Sequence, residues 1–181
     1  AISSANKSTG TNKALFLAEA KGLLAFYTYT TIDLFGQAPY RDPDNINAPI
    51  QIRKADATID ELIKEVEGLI PNLADIKTQN THAGRFTKQA AYALLADMYL
   101  NRAVLKNKTA STFNFTEQAV NGGGTDMDKV IQYSNLLTEK TSQKVNLVMQ
   151  WLPPIAWYFG GSVELKVLNK FSDITYLLDH K

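Results

Sequence analysis

At 181 residues, 45% of them apolar and 20% charged, the chain is long and apolar enough to close a core, either as one domain or as a large piece of a bigger one. Nineteen basic and eighteen acidic residues are interleaved to a net charge of +1, which leaves no electrostatic footprint for nucleic acid or an anionic membrane surface. The lack of cysteine excludes disulfides, thiolate zinc sites, iron–sulfur clusters and cysteine nucleophiles, and no stretch approaches the ~20 apolar residues of a spanning helix.

Residues 1–12 are small and polar and read as a loop or frayed arm, with Asn12 placed to cap the first long helix. The chain starts at Ala1 without a methionine or signal-like run, so either a targeting segment has been removed or the sequence begins inside a longer protein. From Lys13 to Phe35 the sequence predicts a helix that is apolar nearly all round and is therefore buried in a larger assembly. Ala18, Ala20, Gly22 and Ala25 let neighbouring helices approach closely. Gly36 stops this helix and Pro39 prevents its resumption. Residues 36–54, with three prolines and several Asp and Asn, read as a long irregular loop whose length marks it as a possible functional feature.

An amphipathic helix comes next, with Ile59, Leu62, Ile63, Val66, Leu69 and Ile70 on one face and an end near Pro71. After a polar connection, Thr87 caps a second alanine-rich helix running to Leu105, with Ala90, Ala91, Ala93, Leu94, Leu95, Met98 and Tyr99 as its buried residues. The glycines 122–124 form the flexible point of the next loop. Asp126 opens a last amphipathic helix with Val130, Ile131, Tyr133, Leu136 and Leu137 pointing inward. Two units, 13–71 and 87–140, thus repeat the order of buried helix, loop and amphipathic helix. The expected fold is all-α, helix pairs stacked as an α-solenoid in a single domain over 1–181. The tail 148–181 reads either as a strand followed by a helix or as one poor helix.

Little in the chain points to chemistry. His82 and His180 stand far apart with no partner at ligand spacing, so a metal site is not expected and solvated loop histidines are the plainer reading. Nucleophile elbows, P-loops and dinucleotide fingerprints are absent, so neither an enzyme nor a cofactor is expected. The Asp42–Asn47 run opens like a calcium loop, but Asn47 and Arg53 occupy the places of the required Gly and Glu, which rejects an EF-hand. A looser calcium site stays open beside the plainer reading of a capped, solvated loop. Asn6, Asn107 and Asn114 match N-x-S/T, a pattern short enough to arise by chance. Trp151, Trp157, Tyr158 and Phe159 lie in a turn-rich segment, where their faces either stack on sugar rings or simply pack against the helices.

Two blocks carry a family likeness. Ala18-Glu19-Ala20-Lys21-Gly22-Leu23-Leu24-Ala25-Phe26-Tyr27, running on to Asp33-Leu34-Phe35-Gly36-Gln37-Ala38-Pro39, resembles the A-E-A-[RK]-x-L-R-A helix and F-G-x-x-P turn of the SusD/RagB family. Gly84-Arg85-Phe86-Thr87-Lys88-Gln89-Ala90-Ala91-Tyr92-Ala93-Leu94-Leu95-Ala96 is similar to that family's G-R-x-[ST]-x-x-A-A-x-A-L-L-A helix. The likeness spans about residues 13–147. It departs from the pattern at Gly22, where a bulky residue is usual, and at Leu24, where arginine is common.

The resemblance implies a fragment holding tetratricopeptide-like helices of a non-catalytic protein. Such proteins are lipid-anchored on the cell-surface side of the outer membrane of a Bacteroidetes-type bacterium. They bind glycans or other nutrient oligomers and sit as lids on a TonB-dependent transporter. The anchoring cysteine would precede Ala1, and the resemblance transfers no binding residue to this chain. The alternative is a tetratricopeptide-like scaffold that grips a protein partner.

Overall fold

The computed structural model describes residues 1–45, 47–76 and 84–138. Within them the fold is mainly α: α1 (Ile2–Lys7), α2 (Lys13–Phe35), α3 (Ala55–Leu69), α4 (Lys88–Lys106) and α5 (Asp126–Thr138). A 3-10 turn at Ile70–Asn72 follows α3, where Pro71 cannot continue the helix. The tail 148–181 lies outside the described residues.

The irregular loop expected between α2 and α3 instead holds a two-stranded antiparallel ribbon, β1 (Gln37–Tyr40) with β2 (Gln51–Lys54), so the fold is not purely α. Its register pairs Gln37 with Lys54, Ala38 with Arg53, Pro39 with Ile52 and Tyr40 with Gln51. Side chains alternate across the pleat, so Ala38, Tyr40 and Arg53 turn toward the helices while Pro39 and Ile52 face outward. A ribbon of two strands has two free edges, so Pro39, which has no N–H to donate, is tolerated there. The N-terminal segment is also more ordered than its polar composition predicts. α1 is tied down by Lys13 Nζ, which donates to the Asn6 carbonyl at 2.7 Å, and by Asn6 Nδ2, which donates to the Asp44 carboxylate.

Helix ends follow local chemistry. Gly36 takes a left-handed conformation (φ 74°) and its N–H closes α2 on the Ile32 carbonyl at 2.8 Å. The Gly36 carbonyl in turn accepts from the N–H of Ala55 at 2.9 Å, so the end of α2 meets the start of α3. Thr87 caps α4, its hydroxyl accepting from the N–H of Ala90 at 3.4 Å. Asn12 precedes α2 without a side-chain cap: at ψ 11° it is not extended, and only its carbonyl joins the helix, accepting from Phe16.

α3 packs against both α2 and α4. Ala55, Thr58, Ile59, Leu62, Ile63 and Val66 form its buried stripe, while Leu69 and Ile70 are half-buried. α4 contributes Ala91, Leu94, Leu95, Ala96, Met98, Tyr99 and Leu105 to the same core, with Ala90 and Ala93 at its margin. In α5, Val130 and Tyr133 are buried but Ile131 is 39% exposed, one position off the inward stripe.

α2 is two-faced. Ala18, Gly22, Ala25, Tyr29 and Ile32 are buried, and opposite them Phe16, Leu23, Tyr27 and Leu34 line up along about 27 Å of helix. Tyr27 is 64% exposed and Leu34 61%, so one apolar face fills the core and the other lies open.

Two contacts lock the two alanine-rich helices together. Arg85 Nη2 and Nε donate to Glu19 Oε2 at 2.5 and 3.1 Å, and the Phe86 ring lies where a Cβ on Gly22 would sit, 2.3 Å from that position. The second lock is a buried arginine. Arg102 of α4, 4% exposed, donates to both Asp60 oxygens of α3 at 2.6 and 3.0 Å and to both Asp126 oxygens at the start of α5 at 3.0 Å. It also donates to the Gln118 carbonyl at 3.2 Å, and Lys106 joins through Glu117 at 2.8 Å. Hydrogen bonds from Arg102 hold the Asp60 carboxyl below its usual range, whereas burial raises that of Asp126 against the pull of the same guanidinium.

Candidate functional site

A cleft of about 180 Å³ opens between α1, α2, the ribbon and α3. The core fixes its floor, Ala25 and Leu62, and Lys21, Leu24 and Thr28 line it from successive turns of the same helix face. Glu65 stands on α3 one turn beyond Leu62. The ribbon supplies Tyr40 and Arg53, which are diagonal neighbours on its inward face. This register sets the Arg53 guanidinium 3.5 Å over the Tyr40 ring.

The turn of the ribbon adds Asp42 and Asp44, both engaged within the protein. Asp44 accepts from Asn6 Nδ2 at 2.8 and 3.0 Å, and Asp42 Oδ1 accepts from the Asp44 N–H at 2.9 Å. Asn45 Oδ1 likewise accepts from the Asn47 N–H at 3.2 Å. The run that opens like a calcium loop is thus folded on its own backbone. Among the described residues no group of three or more His, Asp or Glu is gathered as a metal site.

Lys21, Arg53 and Glu65 are different. Among the described residues none of these three side chains finds a hydrogen-bond or ion-pair partner, although all three line the cleft. Burial pushes the Glu65 carboxyl above its usual range and Glu61 adds to the rise, while Lys21 and Arg53 oppose it. The sequence marks residues 36–54 as a functional stretch, and that stretch does supply one wall. The particular side chains are not legible without the ribbon register.

The other candidates are placed as follows. Trp151, Trp157, Tyr158 and Phe159, and both His82 and His180, lie outside the described residues. Asn107 and Asn114 sit in turns where the threonine two residues on donates its hydroxyl to the Asn side chain, at 3.1 and 2.8 Å. That local bond accounts for the Asn-x-Thr spacing at both places.

A second polar cluster joins three helices. Tyr99 and Tyr133 both donate to Glu67 Oε1, at 2.9 and 2.8 Å, and Asn121 Nδ2 donates to the other oxygen. The Tyr133 ring stacks with Tyr92 and Tyr99, at centroid separations of 5.9 and 6.2 Å. Burial, followed by the hydrogen bonds to Glu67, raises the hydroxyl pKa of Tyr99 and Tyr133 above 10.0; burial likewise raises Tyr29 and Tyr92. An acid with a raised folded pKa contributes stability that is complete below its unfolded pKa and lost as pH climbs through the folded one. We predict that tyrosinate absorbance from these residues and loss of helical circular dichroism rise together above pH 10. Ionisation of all the tyrosines with the helices intact would contradict this.

No family model matches the chain, and no curated protein matches its sequence.

Proposed function

We propose that the chain is the helical part of a SusD/RagB-like binding protein: non-catalytic, lipid-anchored on the outer-membrane surface, and delivering glycans to a TonB-dependent transporter. The observation that carries this reading is the meeting of the two family-like blocks in space. Glu19 of the A-E-A block pairs with Arg85 of the G-R block, and Phe86 fills the space above Gly22. On this reading 13–71 and 87–140 are tetratricopeptide-like units, joined through the packing of α3 on α4, that support loops and the ribbon as the ligand side. Affinity electrophoresis and calorimetry of the full chain against a polysaccharide panel test the reading. Retardation by at least one glycan is expected, and no binding to any glycan would sink it.

The apolar row of α2 favours a second reading, a scaffold that grips a protein partner through exposed Phe16, Tyr27 and Leu34, with half-buried Leu23 between them. Under it, a Tyr27→Glu/Leu34→Glu variant loses partner capture in a pull-down while glycan binding is absent throughout.

A further inference from the structure

From the outward face of α2 we infer that two copies of this chain pair antiparallel along that helix, as a reversible two-fold dimer. The inference names the partner of the apolar row in the scaffold reading and rests on that row being an interface; it does not depend on glycan binding.

The row keeps the rhythm of paired helices. Phe16, Ala20, Leu23, Tyr27, Thr30 and Leu34 are separated by steps of 4, 3, 4, 3 and 4, the heptad spacing that lets one helix pack along another. All six are exposed or half-buried, on the side of α2 opposite its buried stripe. Size selects a second copy as the occupant. Turned end for end about the level of Ala25, the row meets itself with Phe16 on Leu34, Ala20 on Thr30 and Leu23 on Tyr27, so large faces large and small faces small. A two-fold interface requires this match, since each contact occurs twice with the roles exchanged. Leu23 and Tyr27 fall nearest the axis, where aromatic anchors contribute most. Thr30 Oγ1 donates to the Phe26 carbonyl at 2.9 Å, so the small layer buries no unpaired hydroxyl.

Charge sets the direction. Arg85 stands 5.2 Å over the Phe16 ring and is the more exposed member of its pair with Glu19, 36% against 12%. Exposed Asp33 lies at the other end of the row, beside Leu34 and on the same flank as Glu19. Antiparallel packing brings Arg85 to Asp33 of the second copy, whereas parallel packing sets each group against its own like. At the ~10 Å width of a helix face, a row about 27 Å long covers roughly 300 Å² per copy. That is well under the ~800 Å² per partner of a stable complex, so the pairing is weak and depends on concentration.

The test is sedimentation velocity of the full chain from about 5 to about 500 µM, the range in which weak pairs assemble. A shift from monomer toward dimer is expected. Tyr27→Glu/Leu34→Glu should weaken it at least about tenfold, while Ile131→Glu, at an exposed apolar residue of α5, should leave it unchanged. Circular dichroism of each variant separates a lost interface from a lost fold. Because the chain has no cysteine, introduced ones report geometry. A mixture of Ala20→Cys and Thr30→Cys chains should cross-link on mild oxidation. Ala20→Cys alone should not, because its two copies would stand about 15 Å apart along the axis. A monomer at every concentration, or a dimer untouched by the double variant, overturns the inference. So does cross-linking of Ala20→Cys alone as fast as the mixture. A monomer that captures a different protein through Tyr27 and Leu34 overturns self-pairing and leaves the scaffold reading standing; a chain that does neither overturns both.

Discussion

Replacing Arg102 with alanine should destabilise the chain by about 3–5 kcal/mol, the cost of removing one partner from a buried charged cluster. Most of that loss falls on Asp126, only 2% exposed, whose two oxygens would be left facing the interior. The Asp60 side of the cluster is a third exposed and solvent screens it, so it accounts for less. Urea unfolding followed by circular dichroism is the measurement. The midpoint should fall on the order of 2 M at the slopes usual for small domains. The double variant Arg102→Met/Asp126→Asn should recover much of the loss, because removing both charges removes the stranded one. A single-variant loss below about 1 kcal/mol would show that Arg102 is not the tie between α3, α4 and α5.

Substituting Gly22 offers a sharper test because two effects have opposite signs. Helix propensity alone makes Gly22→Ala stabilising by about 1 kcal/mol at a mid-helix position. The new Cβ, however, would fall 2.3 Å from the Phe86 ring, and Phe86 is itself buried. Forcing atoms into a filled core costs about 1–3 kcal/mol, so a net loss is expected, larger for Gly22→Leu. Phe86→Ala alone should cost about 3–5 kcal/mol by opening a cavity. In Gly22→Leu/Phe86→Ala the leucine refills part of that space, and a double-mutant cycle should return a coupling of about 1–3 kcal/mol. Additive losses would mean that the two residues do not share one volume. The departure from the family-like pattern at Gly22 thus has a physical partner: bulk missing from α2 is supplied by the residue after Arg85.

The features legible in the sequence are those that the 3.6-residue period and strong punctuation encode. Gly36, Thr87 and Asp126 bound their helices as expected, and Ile59, Leu62, Ile63 and Val66 are buried as their spacing requires. Residues whose conformation is fixed by distant partners were not legible. α1 has no apolar stripe, and its helix depends on Asp44 and Lys13. The ribbon strands are four residues each, too short for alternation to outweigh three prolines, and Ala38 and Arg53 face the same way only once paired. Arg102 reads as a surface residue because charge normally seeks water; three acids from α3, α5 and the loop between α4 and α5 make it internal. Ile131 fails for the reverse reason: an apolar residue one step off the stripe stays in water. The cleft inherits the same limit, since Lys21, Arg53 and Glu65 come together only through the ribbon register and the packing of α3 on α2.

The hydrogen bond between Gly36 and Ala55 carries one more consequence. Because α2 ends where α3 begins, everything between them leaves and returns at a single point, as a cassette plugged into a fixed socket. Lengthening such an excursion is cheap, about 0.6 kcal/mol for each doubling. Loop closure therefore sets little limit on the length of the insert carried there, although that insert provides Tyr40, Asp42, Asp44 and Arg53 to the cleft wall and Asp44 to α1. Grafting a different excursion between Gly36 and Ala55 replaces one wall of the cleft and leaves the α2–α3 junction in place.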